Sequence, residues 1–254
     1  TIRIWRLPQP AAIIESRSGA TTTLVTSPDG KLAAVAGFHQ EKPAVFLFDI
    51  ATAETVQILL GHEAAINSIC FHAEGKLLAT GGADNKARVW NLADPKFPEV
   101  QKVAHESAVS AVAISSDGTQ LYTACADNVI RCWNVADGSE VRTLSGHGGA
   151  VVRMAVRGAT LFSASADGTL RLWKTTDGTA IRSISHGGAV TSLAVDEKGT
   201  LVASGGADNN VKLWNAADGA AIATLAAANA GCEQPRGLAR VLGCRDDAVV
   251  ATSA

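Results

Sequence analysis

The tightest constraint on this chain is a recurring aromatic residue. Trp5, Phe48, Trp90, Trp133, Trp173 and Trp214 follow one another at spacings of 43, 42, 43, 40 and 41 residues. Each closes a short alternating run: TIRIW, AVFLF, KARVW, VIRCW, TLRLW and NVKLW. Alternation rich in β-branched and aromatic residues is the pattern of a half-buried strand. Other features keep phase with the aromatic. Turn signals (SPDG at 27–30, AEG at 73–75, SSDG at 115–118, DEKG at 196–199) are followed by the apolar runs KLAAVAG, KLLATGG, TQLYTAC and TLVASGG, and TLFSASA holds the same phase. A tight polar turn comes next, ADN at 83–85, 126–128 and 207–209 and ADG at 166–168. After the aromatic there is a further turn, usually with Asp-Gly, and another run such as EVRTL or AIRSI. Each period therefore holds four short strands and almost no helical pattern. Four strands in ~40–45 residues is the period of a propeller blade.

The strictest phasing belongs to polar residues. Four repeats carry His, a hydroxyl, Asp and Trp: His62, Thr80, Asp84, Trp90; His105, Thr123, Asp127, Trp133; His147, Ser163, Asp167, Trp173; and His186, Ser204, Asp208, Trp214. The hydroxyl always precedes the Asp by four residues, and the Asp precedes the Trp by six. The stretches GHEAAINSICFHAEGKLLATGGADNKARVWN and GHGGAVVRMAVRGATLFSASADGTLRLWK closely resemble the repeat of the WD40 β-propeller family, and the resemblance runs over essentially the whole chain. One feature departs from the family pattern. The acid after Trp is replaced by Asn91, Asn134, Asn215, Lys174 or Arg6, and only Asp49 keeps it, after Phe48.

The resemblance implies that each His–hydroxyl–Asp–Trp set is a structural hydrogen-bond network within its blade. A catalytic triad would occur once, in a cleft, whereas repetition at fixed phase serves every blade alike. The tryptophans are likewise expected in the core. No phosphate loop and no cluster with metal-ligand spacing is present, and the five cysteines (70, 125, 132, 232 and 244) form no CxxC. Cys232 and Cys244 flank an irregular stretch and could pair. The formal net charge is −2, with both signs spread along the chain and no basic stripe, so the electrostatic footprint of a nucleic-acid binder is missing. No apolar run reaches membrane-spanning length. The expectation is a non-enzymatic module without a cofactor that binds a protein or peptide. The alternative is a sensory or ligand-binding propeller domain of a larger protein. A cytoplasmic location is favoured over others, and the oligomeric state is not legible in the sequence.

The two ends of the chain carry their own message. SASADGTLRLW (163–173) aligns with ATSA (251–254) joined to TIRIW (1–5), with only the Asp167-Gly168 pair unmatched. We expect an all-β fold of four-stranded blades, six counted, in a ring closed by pairing the N- and C-terminal segments in one shared blade. The shared blade takes 237–254 plus 1–15, and the full blades lie at about 20–60, 64–103, 107–145, 149–184 and 188–225. Family members most often have seven blades, which would require about one more repeat outside this sequence.

Two blades look irregular on the side of the His loops and Asp turns, the usual partner-binding side in the family. In the first full blade the His position falls near Arg17, and FHQEKP (38–43) replaces the Asp turn. In the shared blade the His loop expands to AAANAGCEQPRG (226–237). Neighbouring blades would bring Arg17, Phe38, His39, Glu41, Lys42, Glu233, Gln234 and Arg236 into one sector, a candidate partner-binding surface. Arg153 and Arg240 occupy the first-strand position where other repeats place Thr23, Ser68, Ala111 and Ser192. That strand is innermost in a blade, so the pair is a candidate channel site for an acidic side chain or anion, unless an internal carboxylate neutralises it.

Overall fold

A computed structural model describes residues 2–6, 9–14, 23–226 and 249–251. In chain order, β1 (Ile2–Arg6) and β2 (Gln9–Ile14) open the chain. A first four-stranded sheet follows, β3 (Leu24–Thr26), β4 (Leu32–His39), β5 (Lys42–Asp49) and β6 (Thr55–Leu60). The second is β7 (Ile66–Phe71), β8 (Leu77–Gly82), β9 (Lys86–Asn91) and β10 (Glu99–Ala104). The third is β11 (Val109–Ile114), β12 (Gln120–Cys125), β13 (Ile130–Asn134) and β14 (Glu140–Leu144). The fourth is β15 (Val151–Arg157), β16 (Thr160–Ser165), β17 (Thr169–Lys174) and β18 (Ala180–Ser185). The fifth is β19 (Val190–Val195), β20 (Leu201–Gly206), β21 (Asn210–Asn215) and β22 (Ala221–Ala226). Last comes β23 (Val249–Ala251). Each four-stranded sheet is an antiparallel meander in sequence order, and the described residues contain no helix.

The turns explain the meander. Between β3 and β4, Ser27 Oγ donates to Asp29 at 2.6 Å, the Gly30 amide donates to the Ser27 carbonyl at 2.9 Å, and Gly30 sits at φ +71°. Ser115, Asp117 and Gly118 repeat the arrangement between β11 and β12. The second hairpin of the later sheets turns at Asn85, Asn128, Gly168 and Asn209, all at positive φ, where Gly and Asn are the tolerated residues. The first sheet differs. Its β4–β5 hairpin turns at Gln40 (φ 48°) and Glu41 (φ 65°), neither a residue that favours this region, at a cost of roughly 1–2 kcal/mol per residue. Both strands run eight residues where β8 and β9 run six, so this hairpin is longer than its counterparts.

The strands fall into two compact units, residues 16–151 and residues 1–15 with 152–254. Each is built by stacking one sheet's apolar face on the next. In the first unit, Ala34, Ala36, Val45, Leu47 and Leu59 pack against Ile66, Ile69, Leu78 and Trp90. Ala79, Ala87, Val89 and Val103 pack in turn against Val109, Val112, Ile114 and Leu121. In the second unit, Ala164, Leu170, Leu172 and Ile184 pack against Val190, Val195, Val202 and Trp214. The small residues on one side make room for the indole on the other, and a buried Trp of this kind typically contributes ~3–5 kcal/mol against Ala. One position breaks the series. Leu59, Val103, Leu144 and Ile184 are 4%, 4%, 2% and 4% exposed, while their counterpart Leu225 on β22 is 60% exposed.

The ends of the chain meet in a three-stranded sheet of order β2-β1-β23. Its register is the repeat's own. Ala251, Val250 and Val249 face Arg3, Ile4 and Trp5, as Ser163, Phe162 and Leu161 face Arg171, Leu172 and Trp173. The register shift between Ile4 and Trp5 against β2 likewise repeats the shift between Leu172 and Trp173 against β18.

Candidate functional site

In the second sheet the polar set forms one chain of hydrogen bonds. Trp90 Nε1 donates to Thr80 Oγ1 at 3.2 Å, and Thr80 Oγ1 lies 2.8 Å from His62 Nε2. On the other side of the ring, His62 Nδ1 lies 2.9 Å from Asp84 Oδ2. A neutral imidazole satisfies both contacts, with Nδ1–H donating to the carboxylate and Nε2 accepting from the hydroxyl. Burial lowers the pKa of His62, against the pull of Asp84. Burial also opposes the Asp84 charge, but hydrogen bonds from the Glu63 amide (3.0 Å) and His62 outweigh it and hold the carboxyl below its usual range. The fifth sheet repeats the chain with the ring turned over. His186 Nδ1 lies 2.7 Å from Ser204 Oγ, Nε2 lies 3.1 Å from Asp208 Oδ1, and Trp214 Nε1 donates to Ser204 at 2.8 Å.

The third sheet departs from this pattern. Trp133 Nε1 donates to Thr123 at 2.8 Å, yet His105 Nε2 is buried without a hydrogen-bond partner among the described residues. Asp127 instead pairs with Arg131 at 2.6 Å, and its side chain is 39% exposed against 3% for Asp84. The His105 ring stands edge-on to Trp133 at 5.2 Å. Its pKa is lowered to about 4, by burial first and then by the Arg131 charge.

The residue that ends the second strand differs between these sheets. A methyl group at Gly82 would lie 2.5 Å from Asp84 Oδ1 and 2.6 Å from His62 Nδ1. One at Gly206 would collide with His186 Nε2 and lie 2.7 Å from Asp208 Oδ1. At both places the His–Asp pair fills the space that a side chain would take. In the third repeat that position is Cys125, which is buried. In the fourth sheet the position is Ser165, Trp173 Nε1 donates to Ser163 at 2.9 Å, His147 is buried, and Asp167 accepts from the Thr169 amide at 2.8 Å.

The first sheet lacks the polar set. Val35 and Phe48 stand in register where the second sheet has Thr80 and Trp90. Phe46 replaces Arg88, stacks on Phe48 with centroids 6.2 Å apart, and meets the edge of His39 at 6.2 Å. Phe38 pairs with Pro43 and His39 with Lys42, so four of the candidate partner-binding residues, Phe38, His39, Glu41 and Lys42, gather at the tip of the long hairpin. Gln40, Glu41 and Lys42 are exposed there. Arg17, Glu233, Gln234 and Arg236 lie outside the described residues, as do Arg240 and the Cys232–Cys244 pair.

Three ties had not been foreseen from the sequence. His72 is buried, lies with Nε2 2.9 Å from the Ser116 carbonyl, and accepts from the Glu74 amide at Nδ1 (3.3 Å), so it links the first turns of the second and third sheets. Gln101 Nε2 donates to the Val135 carbonyl at 3.3 Å, and Arg182 donates to the Ala217 and Asp218 carbonyls at 2.7 Å each. Gln101 and Arg182 occupy the third position of β10 and β18, a position also polar in β6 (Gln57) and β14 (Arg142). That recurrence was the available signal. No signal marked His72, whose partner is 44 residues away.

Among the described residues no three His, Cys, Asp or Glu side chains are grouped to hold a metal ion. No helix among them is long and apolar enough to cross a membrane, which says nothing of β-barrels.

The family model described as WD domain, G-beta repeat matches residues 53–91, 98–134, 138–174 and 178–215. The chain is similar to the target of rapamycin complex subunit wat1 of Schizosaccharomyces pombe, with 33% identity over 37% of this chain and 30% of that protein. It is similar to human WD repeat-containing protein 37, with 28% identity over 39% of this chain and 19% of that protein. It also matches a periodic tryptophan protein 2 homolog of Schizosaccharomyces pombe, with 29% identity over 27% of this chain and 8% of that protein. The alignments thus span less than a third of each relative.

Proposed function

Because the chain belongs to the WD40-repeat family, whose members serve generally as protein-interaction scaffolds, we propose that it is a non-enzymatic platform that binds a protein or peptide. In this reading six blades form a ring, the ends of the chain share one blade, and the partner binds on the side of the His loops and Asp turns. The register of β23 on β1 supports the closure, because it reproduces that of β16 on β17.

The observation that carries the reading is where the polar residues are used. The His–hydroxyl–Asp–Trp chains at His62 and His186 are closed on themselves, which suits a scaffold. The β4–β5 hairpin abandons the set, is longer, and presents Gln40, Glu41 and Lys42 to solvent beside an aromatic row. Loops that depart from a rigid repeat are where partner contacts concentrate. With a partner in hand, Lys42→Glu combined with Phe38→Ala should weaken binding at least tenfold, about 1.4 kcal/mol. Lys31→Glu, on the opposite turns, should leave it unchanged. Equal losses from both variants, or none from the hairpin variant, would refute this placement.

A further inference from the structure

Arg153 occupies a place in β15 that the other described repeats give to small residues, Thr23, Ser68, Ala111 and Ser192. Three of those, Thr23, Ser68 and Ala111, are buried, and Ser68 Oγ accepts from the Val112 amide, a modest structural task. Arg153 is half-buried, and its guanidinium has one acceptor, the carbonyl of its own neighbour Val152 at 2.7 Å. No carboxylate pairs with it among the described residues.

Several other buried or half-buried cations are treated differently. Arg88 pairs with Glu99, Arg131 with Asp127 and Lys212 with Asp208. Arg182 divides its guanidinium between two carbonyls, and Arg171 lies over the Trp173 ring. Burial works against the Arg153 charge and lowers its pKa. Among the described residues this half-buried cation has no counter-charge, which disfavours it in the fold, and serine at the equivalent place shows that the fold does not require it.

We propose that Arg153 is a binding site for a carboxylate, the Asp or Glu side chain of a protein partner. This deepens the platform reading and rests on it. One planar guanidinium offers a fork of donors and a single positive charge, which matches one carboxylate in shape and charge. A phosphate dianion would leave one charge uncompensated.

The test uses the full chain labelled for arginine Nε–Hε NMR at low salt. The probes are N-acetyl-glutamate methylamide and inorganic phosphate. Arg153→Ser, the repeat's own residue at this place, identifies the signal and serves as the control. The expected result is a saturable shift of the Arg153 signal with the carboxylate probe at millimolar concentration, lost in Arg153→Ser. That variant should melt at the wild-type temperature or above it. The proposal is overturned by no saturable shift with the carboxylate, by saturation with phosphate at lower concentration than with the carboxylate, or by a fall in melting temperature of several degrees in Arg153→Ser, which would mark the residue as structural. Failure here leaves the platform reading standing, because that reading is tested at the β4–β5 hairpin with a macromolecular partner.

Discussion

Gly82→Ala is a small change with a sharp expected consequence. The added methyl would lie 2.5 Å from Asp84 Oδ1 and 2.6 Å from His62 Nδ1, so one or both side chains must shift out of their present contact of 2.9 Å. The Asp84 side chain is 3% exposed, and water cannot easily replace the lost donor. Breaking one partner away from a buried polar group costs roughly 1–3 kcal/mol. Replacing a strand glycine returns about 0.5–1 kcal/mol of backbone entropy. The net expectation is a loss of about 1–2 kcal/mol, or a fall in Tm of roughly 2–8 °C for a domain of this size. Thermal or urea unfolding measures it. The reasoning makes a stricter demand of the double variant. If the cost arises from the His62–Asp84 contact, Gly82→Ala should cost little in an Asp84→Ala background, with a coupling of about 1–2 kcal/mol. A full and additive cost in that background, or a single variant within 0.5 kcal/mol of wild type (about the spread of neutral changes), would refute the steric account. The converse variant, Cys125→Gly, gives Asp127 room to turn from Arg131 to His105, and the His105 pKa should then rise from its value of about 4.

Other outcomes follow from the same geometry. His105 binds its proton more weakly folded than unfolded, where a histidine titrates near ~6.5. The unfolded state therefore gains protons first as pH falls, so stability declines from about pH 6.5 to about pH 4 and the His105 share of the decline ends there; His105→Phe should flatten that part of a Tm–pH curve. His72→Ala should lower stability by about 1–3 kcal/mol by freeing the buried ends of the Ser116 and Glu74 contacts, as read by denaturant unfolding. Burial raises the thiol pKa of Cys132, and that of Cys125 to about 11, so both should resist a thiol reagent in the native state and react on unfolding. If a blade covers β22, Leu225→Ala should cost about 2–4 kcal/mol, like Leu144→Ala, rather than the few tenths expected of a surface leucine.

Strand phase was legible because alternation and turn chemistry act within a few residues. Asn85, Asn128 and Asn209 sit at positive φ where ADN was read as a turn, and the four indoles donate to Thr80, Thr123, Ser163 and Ser204. The fate of His105 was not legible, although its own set of four residues is intact. In that repeat Cys125, outside the set, stands where the second and fifth sheets have a glycine beside the His–Asp pair. His72 was opaque for another reason: its acceptor is a backbone carbonyl in the next repeat, and a backbone group leaves no trace in a pattern of side chains. The irregular hairpin could be seen as an insertion in FHQEKP, but its length and aromatic row depend on Phe46 and Phe48, which read as ordinary strand residues. Arg153 was visible as an odd residue at its place, while the lack of a counter-charge among the described residues could only be seen in three dimensions.

The account depends most on the pairing of the chain's two ends, because that pairing would make the repeats a closed and rigid platform. The direct measurement is disulfide formation between β1 and β23 under mild oxidation, with peptide mapping to locate the bond among the native cysteines. Arg3→Cys with Ala251→Cys places two thiols opposite each other in the observed register, and Arg3→Cys with Val250→Cys places them on opposite faces. The account predicts an intramolecular bond in the first pair, with a higher Tm, and none in the second. Equal yields for the two pairs, or a bond that forms only between molecules, would contradict it.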